Sequence, residues 1–91
     1  MTTKSERRHL ARVAELGCIA CDLLGYGQTP AQIHHLREGQ GMAQRAGNFL
    51  VVPLCLEHHT GSGGVHGNRS VLRQLDCTEL DLLDETLSRL M

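Results

Sequence analysis

The chain has 91 residues, a formal net charge of −1 and 41% hydrophobic residues, with no tryptophan and one residue each of tyrosine and phenylalanine. This length predicts a single domain, residues 1–91, with a core so small that a bound metal or a disulfide is a usual addition. The charge argues against a broadly basic nucleic-acid binder, and the absence of a long apolar run argues against a signal peptide or a membrane span, so we expect a cytoplasmic protein without disulfides.

The first part of the chain predicts a helix followed by a cysteine knuckle. Thr3-x-x-Glu6 is the pattern of a helix capping box, and apolar residues continue at helical spacing until Gly17. Residues 1–17 are therefore predicted as a helix. Cys18-x2-Cys21 follows as a short knuckle, and the glycines and proline between residues 25 and 30 interrupt regular structure beyond it.

Two short strands and a helix are predicted in the middle of the chain. Residues 33–36 and 49–54 are strand-like, and the glycine-rich stretch 39–47 between them predicts a loop. A helix is predicted to begin at about Cys55, to carry His58 and His59, and to end in the glycine run 61–64.

The last segment, residues 68–91, is predicted to be helical. Thr78-x-x-Asp81 resembles a second helix cap, and leucines follow it at helical spacing. We expect this stripe to pack on the core, with a dimer seam as the alternative, and it consists of Leu80, Leu83, Leu87 and Leu90.

Two short-spaced ligand pairs predict a structural zinc site. Cys18-x2-Cys21 is matched by Cys55-x2-His58 after a connecting segment. Zinc binds thiolate and imidazole tetrahedrally, and two such pairs are a common way to build a closed four-ligand site. A redox pair is the less favoured interpretation, because no thioredoxin-like strand context surrounds the first two cysteines.

Four further histidines predict a second, open metal site. These are His34, His35, His59 and His66. Three imidazoles leave coordination positions free for water and phosphate. A fourth, neutral near pH 7, can accept a proton from water. A structural zinc module that only binds a partner has no need of them.

Several blocks of the sequence, taken in this order, resemble the HNH endonucleases of the ββα-metal (His-Me finger) fold. More narrowly, they resemble the phage and prophage recombination-enhancement (Ref-type) nucleases, whose activity is RecA-dependent DNA cleavage. The resemblance covers residues 17–67 and implies an α+β fold, with a zinc knuckle and ββα-metal core at 18–67 between N- and C-terminal helices. The blocks are Ile33-His34-His35-Leu36, Gly39-Gln40-Gly41-Met42-Ala43-Gln44-Arg45-Ala46, Val52-Pro53-Leu54-Cys55 with Glu57-His58-His59, and Gly64-Val65-His66-Gly67.

The resemblance also implies a role for each residue of the second site. His35 matches the general base that activates water, and His34, His59 and His66 match the metal ligands. Asn48 matches the central Asn of HNH, which braces the hairpin loop. Neighbouring residues of a regular strand point to opposite faces, so His34 and His35 share one site only if the strand is bulged or twisted, and their roles can be exchanged.

The implied function is a metal-dependent DNA endonuclease with a His general base. Its cofactors are a structural Zn²⁺ and a second divalent ion, either Mg²⁺, Mn²⁺ or Zn²⁺, and its partners are DNA and a RecA-type recombinase filament. Arg37, Arg45 and Arg69 flank the histidines and are candidates for phosphate contacts or are solvated loop charges. The alternative is a non-catalytic zinc-knuckle module that binds nucleic acid or protein.

Overall fold

The structure is a computed structural model that describes residues 2–37 and 47–91. Its elements confirm the predicted α+β class, with two antiparallel strands followed by a helix, and the order is consistent with a ββα-metal domain. In chain order they are α1 (Lys4–Glu15), α2 (Ile19–Leu23), β1 (Gln32–His35), β2 (Val51–Leu54), α3 (Leu56–His59), α4 (Ser70–Leu75) and α5 (Glu79–Leu90).

Helix α1 begins at the predicted capping box and ends just before Gly17. The Thr3 side chain accepts from the Glu6 backbone N–H, and the Glu6 carboxylate accepts from the Thr3 backbone N–H. Gly17 has a φ of +78°, and a Cβ on it would lie 2.7 Å from Gln28 Cγ. Glycine is required here because the chain reverses tightly, and the reversal lets the Cys18 N–H reach the carbonyl of Thr29 at 3.0 Å.

The predicted cysteine knuckle contains a short helix, α2. Cys18 is the N-cap of α2, and its Sγ accepts from the backbone N–H of Cys21 at 3.3 Å. Ile19 and Ala20 of this helix are fully buried. The prediction missed the helix because its few residues give no periodic pattern; burial and the sulfur cap stabilise it.

The two strands pair in a regular antiparallel register that sets His34 opposite Val52 and His35 opposite Val51. Every residue of β2 is buried, whereas the preceding Phe49 is 50% exposed and lies in a turn. The second strand therefore begins two residues later than predicted. Most of the predicted glycine-rich loop lies outside the described residues.

The C-terminal segment forms two helices, and the predicted leucine stripe is partly wrong. Asp76 takes a left-handed conformation with φ +52° between α4 and α5, and the predicted cap at Thr78 begins α5. Leu80 and Leu87 are exposed. The buried face of α5 is rotated from the predicted stripe and consists of Glu79, Leu82, Leu83 and Thr86.

The core lies where α2, α4 and α5 pack around the hairpin. Its fully buried side chains include Ile19, Leu36, Leu54 and Leu82, and Cys18 and Cys21 belong to the same cluster. Two of the four predicted zinc ligands are thus part of the core. Among the described residues, no helix is long and apolar enough to span a membrane.

Candidate metal centres

The first centre joins the predicted zinc ligands at the start of α2 and the start of α3. The Cys21 and Cys55 sulfurs are 3.7 Å apart, and His58 Nδ1 lies 3.6, 3.5 and 3.4 Å from the sulfurs of Cys18, Cys21 and Cys55. Tetrahedral zinc with ordinary bond lengths requires edges of about 3.8 Å between sulfurs and about 3.6 Å between sulfur and nitrogen. The four side chains therefore fit one zinc ion, and we call them the Cys₃His centre.

The thiols of the Cys₃His centre differ in acidity. Burial raises the pKa of Cys18 to about 11. Burial also acts to raise the pKa of Cys55, but hydrogen bonds from the His58 backbone and from the Cys21 and Cys18 thiols outweigh it and lower that pKa. A bound cation stabilises neighbouring thiolates, so the buried sulfurs are a donor set that a metal ion completes.

The second centre brings together His34 of β1, His59 of α3 and His66 of the loop after α3. Their ring centroids are 4.8 to 5.1 Å apart, and one ligand atom from each lies within 4.8 Å of the others. The loop is held by a bond from the His66 N–H to the His59 carbonyl at 2.9 Å. Gly64 allows it to pack closely, since a Cβ there would lie 2.7 Å from the His58 carbonyl carbon. We call this group the tri-histidine centre.

His34 has the hydrogen bonding expected of a metal ligand. It is 1% exposed, and its Nε2 lies 2.7 Å from Glu79 Oε1. A carboxylate can only accept, so Nε2 carries the proton and Nδ1 carries the lone pair. Within the described part of the chain, Nδ1 is buried with no hydrogen-bond partner. A metal ion is the partner that suits such an atom, with the carboxylate behind the ring fixing its orientation.

Glu79 is a buried residue of the candidate site that the sequence did not predict. Its side chain is fully buried and accepts from His34, from the Arg37 backbone N–H at 3.1 Å and from the Arg69 guanidinium at 3.1 Å. Burial acts to raise its pKa, but these bonds, first that of His34, outweigh burial and lower it. The available signal was a charged residue three and four positions before Leu82 and Leu83, on the apolar face of the helix.

The other two imidazoles also have second partners. His59 Nδ1 lies 2.9 Å from the amide oxygen of Gln32, which accepts its proton and leaves Nε2 with a lone pair. The Arg37 guanidinium donates to His66 Nδ1 at 3.2 Å, so the lone pair of the neutral ring faces Arg37, and His66 binds a metal only when it gives up this hydrogen bond. Burial is the main cause that lowers the pKa of both the His59 and the His66 ring. The lowered pKa favours the neutral form of both rings, which is the form that binds a metal.

His35 lies apart from the tri-histidine centre in a pair with Asn48. The strand pairing is regular through His35, so its ring leaves β1 on the face opposite to His34. His35 Nε2 lies 2.9 Å from Asn48 Oδ1, and Asn48 Nδ2 donates to Glu6 Oε2 at 2.7 Å. Both His35 and Asn48 are half-buried.

Two of the three predicted phosphate-binding arginines lie beside the tri-histidine centre. Arg37 and Arg69 border the tri-histidine centre through their contacts with His66 and Glu79. The Arg69 side chain is 41% exposed, so its guanidinium is accessible although bonded. Arg45 lies outside the described residues.

One comparison with known proteins gives a match. A family model described as "Recombination enhancement, RecA-dependent nuclease" matches residues 2–79. The matched region is more than half of the chain and includes every residue of the two centres, together with Asn48 and Glu79. No curated protein and no solved structure matches the chain.

Proposed function

Because the chain belongs to the recombination enhancement, RecA-dependent nuclease family, we propose that it is an HNH-type, metal-dependent DNA endonuclease of phage or prophage origin. The observation that carries this proposal is the tri-histidine centre, in which the buried Nδ1 of His34 has no partner among the described residues. Leaving such an atom unpaired costs roughly 1–3 kcal/mol, which a metal ion offsets.

The two centres have different roles in this proposal. The Cys₃His centre holds a structural zinc, because four protein ligands close the coordination sphere. The tri-histidine centre holds the second ion, Mg²⁺, Mn²⁺ or Zn²⁺, and three protein ligands leave positions for substrate. When bound, that ion supplies Lewis-acid stabilisation of charge on phosphate oxygens.

His35 is the general base in this mechanism. Its Nε2 proton is donated to Asn48 Oδ1, so Nδ1 has the lone pair that takes a proton from water. His34 suits this role less, because it is 1% exposed and its Nε2 is bonded to Glu79. Because His35 leaves β1 on the face opposite to His34, the reacting water and phosphate must reach around the end of the strand for both residues to act on them.

Arg37 and Arg69 bind the DNA backbone beside the reacting phosphate. The Arg37 guanidinium contacts His66 of the tri-histidine centre, and the Arg69 guanidinium is held by Glu79, which bonds to His34. Arginine suits this task because its planar group bonds two phosphate oxygens at once. A recombinase filament is the partner that presents the DNA.

The experiment compares His35→Ala and His34→Ala in DNA cleavage with Mg²⁺ or Mn²⁺, with and without a RecA–single-stranded DNA filament. His35→Ala should reduce the cleavage rate on the order of a hundredfold or more, because the general base is lost. Zinc content and thermal melting should match the unsubstituted protein.

His34→Ala should lose cleavage together with the ion of the tri-histidine centre. Full activity in His35→Ala with none in His34→Ala would exchange the two roles. If neither substitution changes cleavage, the nuclease proposal fails. A chain that binds DNA or protein and never cleaves would support the zinc-knuckle binding module.

A further inference from the structure

The carboxylate of Glu6 connects the start of α1 to the His35–Asn48 pair. One oxygen, Oε1, accepts from the Thr3 backbone N–H at 3.1 Å and completes the capping box. The other, Oε2, accepts from Asn48 Nδ2 at 2.7 Å. A residue outside the hairpin and its helix therefore contacts the residue that holds His35.

The hydrogen-bonding capacities of these groups determine which way the Asn48 amide faces. Hydrogen bonds from the Thr3 backbone and then from Asn48 lower the pKa of Glu6, so at neutral pH it is a carboxylate that can only accept. The Asn48 nitrogen must therefore face Glu6, and its oxygen must face His35. An amide oxygen also only accepts, so the His35 proton lies on Nε2 and the lone pair on Nδ1.

We propose that Glu6 is a positioning residue that sets the ring tautomer of His35 through Asn48. The effect of this tautomer on catalysis rests on the proposed function, in which His35 Nδ1 is the general base. A flipped Asn48 amide would place its oxygen against the Glu6 carboxylate, where two acceptors repel. The capping box fixes the start of α1, which carries Glu6. Further along α1, His9 packs on Phe49, the neighbour of Asn48, with 5.1 Å between ring centroids.

Helix α5 shows what a capping carboxylate does without this second task. Asp81 accepts from the Thr78 backbone N–H at 2.9 Å and from the Thr78 hydroxyl at 3.2 Å. The described residues thus offer two capping boxes, and that of α1 is also linked to His35 whereas that of α5 caps its helix alone. The pair makes a matched control possible.

The experiment uses the full chain with ¹⁵N-labelled histidine and records the ring nitrogens of His35 by NMR at about pH 8, where imidazole is neutral. The unsubstituted protein should show the proton on Nε2. In Glu6→Gln the side chain has one acceptor and a donor, so Asn48 can turn its oxygen toward it and its nitrogen toward His35. The Nδ1–H tautomer should then be populated, and Glu6→Ala, which removes both acceptors, should give a mixture of tautomers.

Two controls separate this effect from helix capping. Thr3→Ala removes the side-chain cap of α1 but keeps the backbone donor to Glu6, and Asp81→Asn makes the same carboxylate-to-amide change in α5. Both should keep the Nε2–H tautomer. An unchanged His35 tautomer in Glu6→Gln and Glu6→Ala would overturn the proposal.

Cleavage gives the second measurement. Glu6→Gln should lower kcat by roughly tenfold to a thousandfold with unchanged zinc content, because a base in the wrong tautomer cannot accept the proton. A changed tautomer with full cleavage would overturn the link between Glu6 and the base. If the unsubstituted protein never cleaves, the proposed function fails, while the tautomer comparison still decides the role of Glu6.

Discussion

At the scale of single residues, the tri-histidine centre depends on the groups behind its ligands. His34 has the Glu79 carboxylate behind its ring and His59 has the Gln32 amide oxygen, whereas Arg37 donates to the lone pair of His66. Such partners fix the tautomer and the orientation of a ligating imidazole. Among these partners, the Glu79 carboxylate is fully buried and also accepts from the Arg37 backbone N–H, so its loss should disturb more than one contact.

Glu79→Gln should weaken metal binding at the tri-histidine centre by about 10- to 100-fold, the usual effect of losing a ligand's hydrogen-bond partner. The amide has one acceptor in place of two, so it cannot satisfy His34, the Arg37 N–H and Arg69 together. Titration calorimetry with Co²⁺ or Mn²⁺ on zinc-loaded protein measures the affinity.

The control for this prediction is Glu85→Gln, which makes the same change on the same helix. Glu85 pairs with Arg89 on the surface, away from the ligands, so its loss should leave the affinity unchanged. Equal affinities in both variants and in the unsubstituted protein would show that Glu79 does not support His34.

Residues of the two centres are predictable from the sequence when their partners are close along the chain, and are not when their partners are distant. Cys18 and Cys21, and Cys55 and His58, are predictable because each pair lies within one turn of chain and zinc has few ligand types. Glu79 was missed because its role arises from a contact between β1 and α5, 45 residues apart. Its position on the apolar face of α5 is a weak signal, because acidic residues begin many helices.

At the scale of elements, the starts of α1 and α5 were predictable from local sequence patterns, whereas the break between α4 and α5 was not. The capping boxes at Thr3 and Thr78 were predictable because a side chain and a backbone three residues on satisfy each other. The break at Asp76 was not, because a left-handed aspartate has no reliable sequence pattern. The burial of Glu79 and Thr86 likewise depends on what α5 packs against.

Cys21→Ser should remove zinc from the Cys₃His centre and unfold or strongly destabilise the protein. Two of the four ligands lie in the core cluster, so metal binding and folding are one process and the binding energy contributes to folding. Metal content by mass spectrometry and thermal melting test this together.

Cys77→Ser is the matched control, because this cysteine is only partly buried and lies outside the ligand sets. It should keep the zinc and melt close to the unsubstituted protein. Zinc retained in Cys21→Ser with an unchanged melt would contradict a structural role for the centre.

At the scale of the whole molecule, charge limits what the protein can do alone. The net charge of −1 leaves few basic side chains to neutralise phosphates, and free duplex DNA should therefore bind weakly. The candidates by the tri-histidine centre are Arg37 and Arg69, and those of the N-terminal helix are Lys4, Arg7, Arg8 and Arg12.

Binding to duplex DNA should weaken with salt at a log–log slope of roughly −2 to −4, as expected for about three or four phosphate contacts. Cleavage should depend on a recombinase filament that concentrates or distorts the DNA. Fluorescence anisotropy across a salt series gives the slope, and Arg69→Gln should make it shallower.

Arg89→Gln is the control for the charge itself, because Arg89 pairs with Asp22 and Glu85 away from the centre. Its slope should match that of the unsubstituted protein. A slope near −8, with tight binding at physiological salt and no need of the filament, would point to a self-sufficient nuclease or to an oligomer that combines the basic residues of several chains.

Helix α3 couples the two centres, because His58 belongs to one and the adjacent His59 to the other. In the proposed function, zinc at His58 would order the helix, and the second ion would then meet a ring whose conformational freedom has already been lost. Thermodynamic reciprocity then requires the second ion to strengthen zinc retention by the same factor. Under the proposed function, scarcity of zinc should therefore weaken binding of the second metal at the tri-histidine centre, even where that metal is abundant.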